Sequence, residues 1–159
     1  YIHLKLNNLT DNEIIKYLYE ASCAGVKIRL IVRGMLSLIP GIPKVSENIK
    51  AIGIVDRFLE HSRILIFCNG GDEQIFITSA DLMPRNLDHR IEVTCPVLNK
   101  NIKSEIRKIF DIQWNDNVKA RVFDETQSNV FVKPGKTIIQ SQIEVYKYIK
   151  GTNEISPEK

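Results

Sequence analysis

The N-terminal part of the chain places one amphipathic helix between two apolar strands, and this pattern constrains the fold more than any other. Residues 1–6 and 26–32 predict strands, the second with apolar residues at alternate positions. Between them, Thr10 and Glu13 form a capping-box pattern that predicts a helix with Thr10 as its N-cap, and Gly25 predicts the end of that helix. Such a unit joins two parallel strands by a right-handed crossover. The sequence therefore predicts an α/β fold.

Further patterns extend this unit into a mixed sheet, of about six or seven strands, that is flanked by helices. The predicted elements are strands over 49–55, 62–68, 74–79, 90–95 and 118–123, and helices over 102–114 and 138–149. Asn69–Asp72 predicts the tight turn of a hairpin. We expect residues 1–150 to form one domain and the polar residues 151–159 to form a disordered tail.

The composition is that of an ordinary globular protein and excludes several other classes. The net charge is only +3, and no apolar run reaches the roughly 18 residues of a membrane span. The three cysteines are isolated, so we expect reduced thiols, no structural metal site and a cytoplasmic location, with attachment to the inner-membrane surface left open for a longer protein. Because the sequence begins with Tyr1 instead of Met, we also expect it to be a piece of a longer polypeptide.

Polar residues follow the first two predicted strands at their carboxyl ends. Lys5 and Asn7 end the first strand, and Arg33 and Gly34 end the second. Ligands of open α/β sheets bind beyond the carboxyl ends of parallel strands. Arginine supplies a fork of N–H donors, lysine a compact charge, and glycine close access to the backbone, which together suit phosphate. The alternative is that Lys5 and Arg33 are solvent-exposed charges at the strand ends.

The predicted hairpin supplies a second polar group. A symmetric loop centred on Gly71 pairs Arg63 with Ser79 and His61 with Asp81, which brings these four side chains to one face. A carboxylate beside a histidine can orient the imidazole and favours its protonated form. A shift of the register by one residue scatters the group, and the alternative interpretation is a polar hairpin face toward solvent.

Two further features near these residues are ambiguous. Arg85 and Arg90 lie in a dense polar stretch after Asp81, where they either extend a phosphate-binding floor or fix a loop through ion pairs. His3 and Lys5 form a His-x-Lys pattern that invites a phospholipase D interpretation, but three residues alone are a weak signal. The sequence contains neither a P-loop motif nor a Gly-rich dinucleotide-binding turn.

Several runs of the sequence, in the order in which they occur, resemble the polyphosphate kinase family. The runs are KLNNLTD at 5–11, AGV at 24–26, IVRG at 31–34, PGIP at 40–43, SENI at 46–49, RFLEHSR at 57–63, SAD at 79–81, MPRNLD at 83–88 and VKAR at 118–121. They cover nearly the whole chain and are highly specific. The chain resembles the second of that family's two C-terminal domains, each of which is similar to the phospholipase D fold.

The resemblance implies an enzyme that transfers the terminal phosphate of ATP reversibly to inorganic polyphosphate through a phosphohistidine. It implies that this histidine and the residues that bind Mg²⁺ lie mainly in a preceding domain, so that the present chain is inactive alone. The implied partners are ATP or ADP, inorganic polyphosphate, the upstream domains of the same polypeptide and further copies of the full-length protein in a homo-oligomer. Nucleic acid is not an expected partner.

The resemblance also implies roles for individual residues. It maps Arg33 onto an arginine that contacts the phosphates of ATP, and His61 onto a second catalytic histidine that also contacts nucleotide. The complete predicted site comprises His61 as the catalytic residue, Arg33, Lys5, Asn7 and Arg63 as phosphate ligands, and Ser79, Asp81, Arg85 and Arg90 as supporting residues. No metal ligand is expected within the chain.

Two alternatives of other classes remain open. A phospholipase D-like phosphodiesterase, either a nuclease or a lipid hydrolase, would need a second His-x-Lys site from a partner copy. Arg63 stands where such enzymes have the lysine of that motif, which speaks against this alternative. The other alternative is a non-catalytic module that binds polyanions without turnover.

Overall fold

The computed structural model describes residues 1–154, within which seven strands form one mixed sheet with helices on both faces. The elements in chain order are β1 (Ile2–Leu6), α1 (Asn12–Cys23), β2 (Ile28–Val32), β3 (Ile49–Ile54), β4 (Ile64–Phe67), β5 (Gln74–Thr78), α2 (Pro84–Asp88), β6 (Thr94–Pro96), α3 (Lys100–Trp114), β7 (Ala120–Phe123) and α4 (Ser141–Glu154), with a 3₁₀ turn at Asn69–Gly71. The strand order is β6-β5-β4-β1-β2-β3-β7. β1, β2 and β3 are parallel, and the other neighbouring pairs are antiparallel. The predicted α/β class with a mixed sheet is confirmed.

The N-terminal strand–helix–strand unit forms as predicted, except that helix α1 begins one residue later. Asp11 is the N-cap, and its Oδ1 accepts a hydrogen bond of 2.9 Å from the backbone N–H of Ile14. The prediction of Thr10 as N-cap is wrong, because the Asp11 side chain caps the first turn, while the N–H groups of both Thr10 and Asp11 bond the carbonyl oxygen of Leu82 before the helix begins. Gly25 ends the helix as predicted, with a φ of 88° that favours glycine.

The sheet separates two cores, and the alternation of β1 assigns its side chains to them. Leu4 and Leu6 pack with the buried residues of α1 on one face, whereas the other face packs against Phe110 of α3. His3 and Lys5 alternate with the two leucines, so they point to the α3 face. This alternation places a lysine inside the domain, where it needs a partner.

Two C-terminal boundaries differ from the sequence-based expectation. Strand β6 spans Thr94–Pro96 and not 90–95, because Glu92 and Val93 are engaged by the side chains of Ser79 and Asn86 before the strand begins. Helix α4 continues to Glu154, past the expected domain boundary at residue 150. Residues 155–159, which hold the rest of the predicted tail, lie outside the described residues. No helix within the described range is long and apolar enough to cross a membrane.

The topology brings the ends of six strands together along one edge of the sheet. This edge is the line of strand ends and not one of the outer strands. β1, β2 and β3 end at this edge, β4 and β7 begin there because they run in the opposite direction, and β5 returns to it after the hairpin. We call it the site edge and define it by Asn7, Arg33, Arg63, Asp81 and Lys119. Ligands of open α/β sheets bind at such an edge.

Candidate active site at the sheet edge

Asp81 is the centre of a buried hydrogen-bond network at the site edge. Its Oδ1 accepts from the backbone N–H of Asn7 at 2.8 Å and from Nε of Arg63 at 2.9 Å, and its Oδ2 accepts from Nδ2 of Asn8 at 3.0 Å. Only 3% of the residue is exposed. Burial raises the pKa of this carboxyl, but the hydrogen bonds from Arg63, Asn8 and Asn7 outweigh burial and hold the pKa at about 2. Asp81 is therefore an anion at neutral pH and holds Arg63 in place.

Asn7 connects this network to Arg33. The Oδ1 of Asn7 accepts a hydrogen bond of 3.1 Å from Nε of Arg33, while its Nδ2 lies 3.3 Å from Oδ1 of Asp81. Among the described residues, this is the one hydrogen bond that the Arg33 side chain makes. The four terminal N–H groups of its guanidinium therefore keep their capacity for an anion.

His61 lies at the other end of the same network and is exposed. Nη1 of Arg63 donates to the carbonyl oxygen of His61 at 3.2 Å, and Nη2 of Arg63 lies 3.4 Å from Nε2 of the imidazole. A guanidinium can only donate, so the second contact is a hydrogen bond when Nε2 carries no proton. Arg63 thus contacts both the backbone and the ring of His61.

Lys5 is buried beneath the segment that carries His61. Its Nζ donates to the carbonyl oxygen of Ser62 at 3.0 Å and lies 3.6 Å from Oε2 of Glu60. Burial lowers the pKa of Lys5, and the charge of Glu60 acts against this effect. Because Lys5 is only 3% exposed, the alternative of a solvent-exposed charge is excluded for it.

Glu60 and Asn8 contact residues of the predicted site, although the sequence patterns did not predict them as part of it. Besides Lys5, Glu60 accepts hydrogen bonds from Gln113 at 3.0 Å and from Gln142 at 3.2 Å. The sequence feature that could have identified Glu60 is its place beside His61 in the run RFLEHSR. Asn8 accepts from the backbone N–H of Met35 at 3.0 Å in addition to bonding Asp81, and its signal was the pair of asparagines after β1.

The hairpin has a different register from the predicted one. Ile64 pairs with Ile77 and Phe67 with Gln74, so the pairing is shifted by one residue and the predicted pairs of Arg63 with Ser79 and of His61 with Asp81 are wrong. Arg63 still reaches Asp81, whose Oδ1 lies 2.9 Å from its Nε, because Asp81 follows the end of β5 at Thr78 and is outside the paired strand. Ser79 is exposed and bonds Glu92 instead of joining the network.

The remaining predicted residues lie apart from this network. Arg85 in α2 and Arg90 are exposed, and within residues 1–154 neither forms an ion pair. His3 is stacked between Tyr1 and Phe110, with ring centroids 4.8 and 5.2 Å away. Burial lowers the pKa of His3 to about 4, so this residue is a neutral core histidine.

The described residues do not fit a Mg²⁺ site. No group of three or more His, Cys, Asp or Glu side chains that could hold a metal ion occurs among them. The carboxylate oxygens of Asp81, the buried acid nearest to Arg33 in the network, already accept hydrogen bonds from Arg63, Asn7 and Asn8. Mg²⁺ prefers oxygen ligands with near-ideal octahedral geometry, which this carboxylate does not offer.

Comparison with known proteins identifies the class of the domain and then its family. The phospholipase D family member Nuc from Salmonella typhimurium matches with a TM-score of 0.59 at 14% identity, over 77% of this chain and 81% of that chain, which shows a phospholipase D-like fold. The family model described as polyphosphate kinase C-terminal domain 2 matches residues 1–142. The chain belongs to the polyphosphate kinase family.

Individual relatives agree with this assignment. A polyphosphate kinase of Vibrio vulnificus strain YJ016 is 53% identical over 154 residues, which are 96% of this chain and 22% of that protein. The crystal structure of polyphosphate kinase from Porphyromonas gingivalis matches with a TM-score of 0.95 at 46% identity, over 98% of this chain and 24% of that chain. The chain thus spans about a fifth to a quarter of the length of these relatives.

Proposed function

We propose that this domain supplies the Arg33 and His61 side of the phosphotransfer site of a polyphosphate kinase. The reaction moves the terminal phosphate of ATP reversibly to inorganic polyphosphate through a phosphohistidine. In this proposal the phosphorylated histidine and the residues that hold Mg²⁺ belong to other domains of a longer polypeptide. The domain by itself binds ATP, ADP or polyphosphate without turnover.

One observation carries the proposal, namely the unbroken chain of contacts that joins His61 to Arg33. The contacts run from His61 to Arg63, from Arg63 to Asp81, from Asp81 to Asn7 and from Asn7 to Arg33. Each link is a polar contact of 3.4 Å or less between side chains. An imidazole and an anion-binding fork are therefore held in a fixed mutual position, which is what phosphoryl transfer requires.

The charges at the site edge suit the transition state of phosphoryl transfer. Negative charge is spread over the equatorial oxygens of the phosphoryl group, and fixed cations stabilise it without reorganisation. Arg33 offers its terminal N–H groups to these oxygens. His61 holds or transfers a proton at the nucleotide oxygen through its imidazole. Lys5 acts as a positioning residue, because Glu60 and Ser62 engage its ammonium group.

The test is the substitution His61→Ala in the longer kinase that contains this domain. We expect the rate of polyphosphate synthesis to fall by a factor on the order of 10² to 10⁴, as for the loss of a general acid–base group. His61 is exposed, so the thermal midpoint should change little. His89→Ala is the matched control, because His89 is also an exposed histidine but lies at the end of α2.

The variant His61→Asn separates proton transfer from phosphate binding, since asparagine donates a hydrogen bond but cannot transfer a proton at neutral pH. If His61→Ala melts like the parent and keeps more than about a tenth of the rate, His61 is not the proton-transfer residue. The proposal also fails if His89→Ala has the same effect as His61→Ala.

The phosphodiesterase alternative has less support. The likeness to Nuc is at 14% identity and therefore concerns the fold alone. The pattern at the site is His61-x-Arg63, and Arg63 is bound to Asp81 at 2.9 Å as part of the buried network. The other pattern, His3-x-Lys5, has its histidine packed against Phe110 of α3. Hydrolysis of a model phosphodiester by this chain would support the phosphodiesterase alternative.

A further inference from the structure

A second group of cations lies beside Arg33, in a cavity at the end of the site edge formed by β2, β3 and β7. The cavity has a volume of about 550 Å³, and Arg33, Lys119 and Arg121 are among the residues that line it. Among the described residues that line it, none is acidic. The network around Asp81 does not use Lys119 or Arg121, so the proposed function leaves these two cations unexplained.

Arg121 is fixed in place before any ligand binds. Its guanidinium carbon lies 3.9 Å from the centre of the Phe131 ring, and its Nη1 donates to the carbonyl oxygen of Asn129 at 2.8 Å. A bridge between Arg121 and Phe131 holds the two backbones together. Stacking and one hydrogen bond orient the planar group, and its other N–H donors keep their capacity for an anion. Preorganisation of this kind lowers the entropic cost of binding.

A glycine allows the Phe123 ring to lie where it lines this cavity. Gly53 lies directly opposite Arg121 in the pairing of β3 with β7. A Cβ atom at this position would lie 2.9 Å from ring carbons of Phe123 and 3.0 Å from the carbonyl oxygen of Val32. Any side chain would therefore displace the ring of Phe123 that lines the cavity.

The charge of Lys119 is only weakly compensated. Its Nζ is 4.0 Å from Oδ1 of Asp56, whose other oxygen accepts a hydrogen bond of 2.7 Å from Gln140. A pair at this distance with a partly exposed lysine is a weak one. The cavity therefore has an excess of positive charge that continues from Arg33 to β7.

We propose that this cavity is a second anion subsite, which holds phosphate groups of an inorganic polyphosphate chain that extends past Arg33. This inference rests on the proposed function, because it takes Arg33 as the first phosphate contact. A linear polyanion matches cations placed in succession along the site edge. A nucleobase matches the cavity less well, because the guanidinium of Arg121 already covers one face of the Phe131 ring.

The experiment measures binding to the 159-residue chain by titration calorimetry, with long-chain inorganic polyphosphate and with ATP as separate probes. We expect Arg121→Gln to weaken polyphosphate binding about tenfold, as for the loss of one charge-assisted hydrogen bond, and to change ATP binding less than twofold. The slope of log Kd against log salt should fall by about one for polyphosphate. Lys16→Gln, an exposed lysine of α1, is the matched control and should leave both affinities unchanged.

The outcomes separate this inference from the proposed function. Arg33→Gln should weaken both ligands, and if it weakens neither, or the parent chain binds no polyphosphate, both ideas are wrong. If Arg33→Gln weakens both but Arg121→Gln binds polyphosphate like the parent, only the second subsite is wrong. An equal loss of ATP and polyphosphate affinity in Arg121→Gln would assign the cavity to the nucleotide and overturn the inference. If circular dichroism shows that Arg121→Gln is unfolded, Lys119→Gln takes its place with the same criteria.

Discussion

The two regions of the site edge differ in how their charges are balanced. Around Asp81, each charged group has a partner of opposite charge or a set of hydrogen bonds, and the carboxylate is 3% exposed. In the cavity between β2, β3 and β7, Arg33, Lys119 and Arg121 have no close acidic partner among its lining residues. A buried network with balanced charges holds its side chains in fixed positions, whereas a cluster of cations without acidic partners is available to bind an anionic ligand.

This difference predicts that the two regions respond to substitution in opposite ways. Changes in the Asp81 network should reduce the free energy of unfolding, because they leave buried charge without a partner. Changes in the cavity should affect binding and leave the fold nearly as stable, because the cations there are partly exposed and weakly paired.

Asp81→Ala should have the largest effect on stability. The substitution leaves Arg63 without its carboxylate, and removal of one partner of a buried ion pair costs about 3 to 5 kcal/mol. Urea unfolding followed by circular dichroism measures this loss. Asp88→Ala is the control, since Asp88 is exposed at the end of α2 and should cost no more than about 0.5 kcal/mol. Equal losses in the two variants would mean that the network is not a scaffold.

Acid should weaken the same network. The pKa of Asp81 is about 2 in the folded chain against an ordinary value of 3.8, because hydrogen bonds from Arg63, Asn8 and Asn7 outweigh burial. A lowered pKa contributes stability that is complete above the ordinary pKa and is lost as the pH falls through the folded value. The contribution at neutral pH is about 2 kcal/mol.

The measurement is the free energy of unfolding of the parent and of Asp81→Asn between neutral pH and about pH 2. The free energy of unfolding of the parent should decrease by about 2 kcal/mol more than that of the variant, and this decrease should occur below about pH 4. Asp116, where hydrogen bonds from Ser141 outweigh burial and lower the pKa, is present in both proteins and cancels in the difference. If the free energies of unfolding of the two proteins change with pH in parallel, the low pKa of Asp81 is wrong.

Lys119→Gln should have the smallest effect on stability. The lysine is 42% exposed and its nearest carboxylate oxygen is 4.0 Å away, so the free energy of unfolding should change by less than about 1 kcal/mol. The same urea experiment measures this change. A loss as large as that of Asp81→Ala would show that the cavity is as structurally coupled as the network, and the contrast between the two regions would disappear.

The sequence predicted the N-terminal unit and the class of fold because these depend on local periodicity. The apolar alternation of β2, the amphipathic pattern of α1 and the left-handed Gly25 are all local signals. The site at the carboxyl ends of β1 and β2 followed from the same unit, since parallel strands end at one edge. Asn7 and Arg33 were therefore predicted to lie together, and they are hydrogen-bonded at 3.1 Å.

The parts that were missed depend on contacts between distant segments. The sequence predicts a hairpin loop symmetric about Gly71, but Asn69, Gly70 and Gly71 adopt positive φ values of 47°, 64° and 103°, and the strands pair one residue away from that register. The capping-box pattern at Thr10 gave the wrong N-cap: the N–H groups of both Thr10 and Asp11 bond Leu82, which is far away in sequence, and the helix begins only after them, with the Asp11 side chain as its cap. Glu60 was missed because its partners, Lys5 and Gln113, lie on other elements.

The most direct test of the account is incubation of this chain alone with ATP labelled in the terminal phosphate, in the presence of Mg²⁺. The account predicts that the chain binds ATP through Arg33 but forms no polyphosphate and carries no acid-labile phosphate, because the domain supplies only one side of the site. Arg33→Gln should lose the binding and Lys16→Gln should keep it. Formation of polymer, or of an acid-labile phosphate on His61 or on another residue of this chain, would contradict the account.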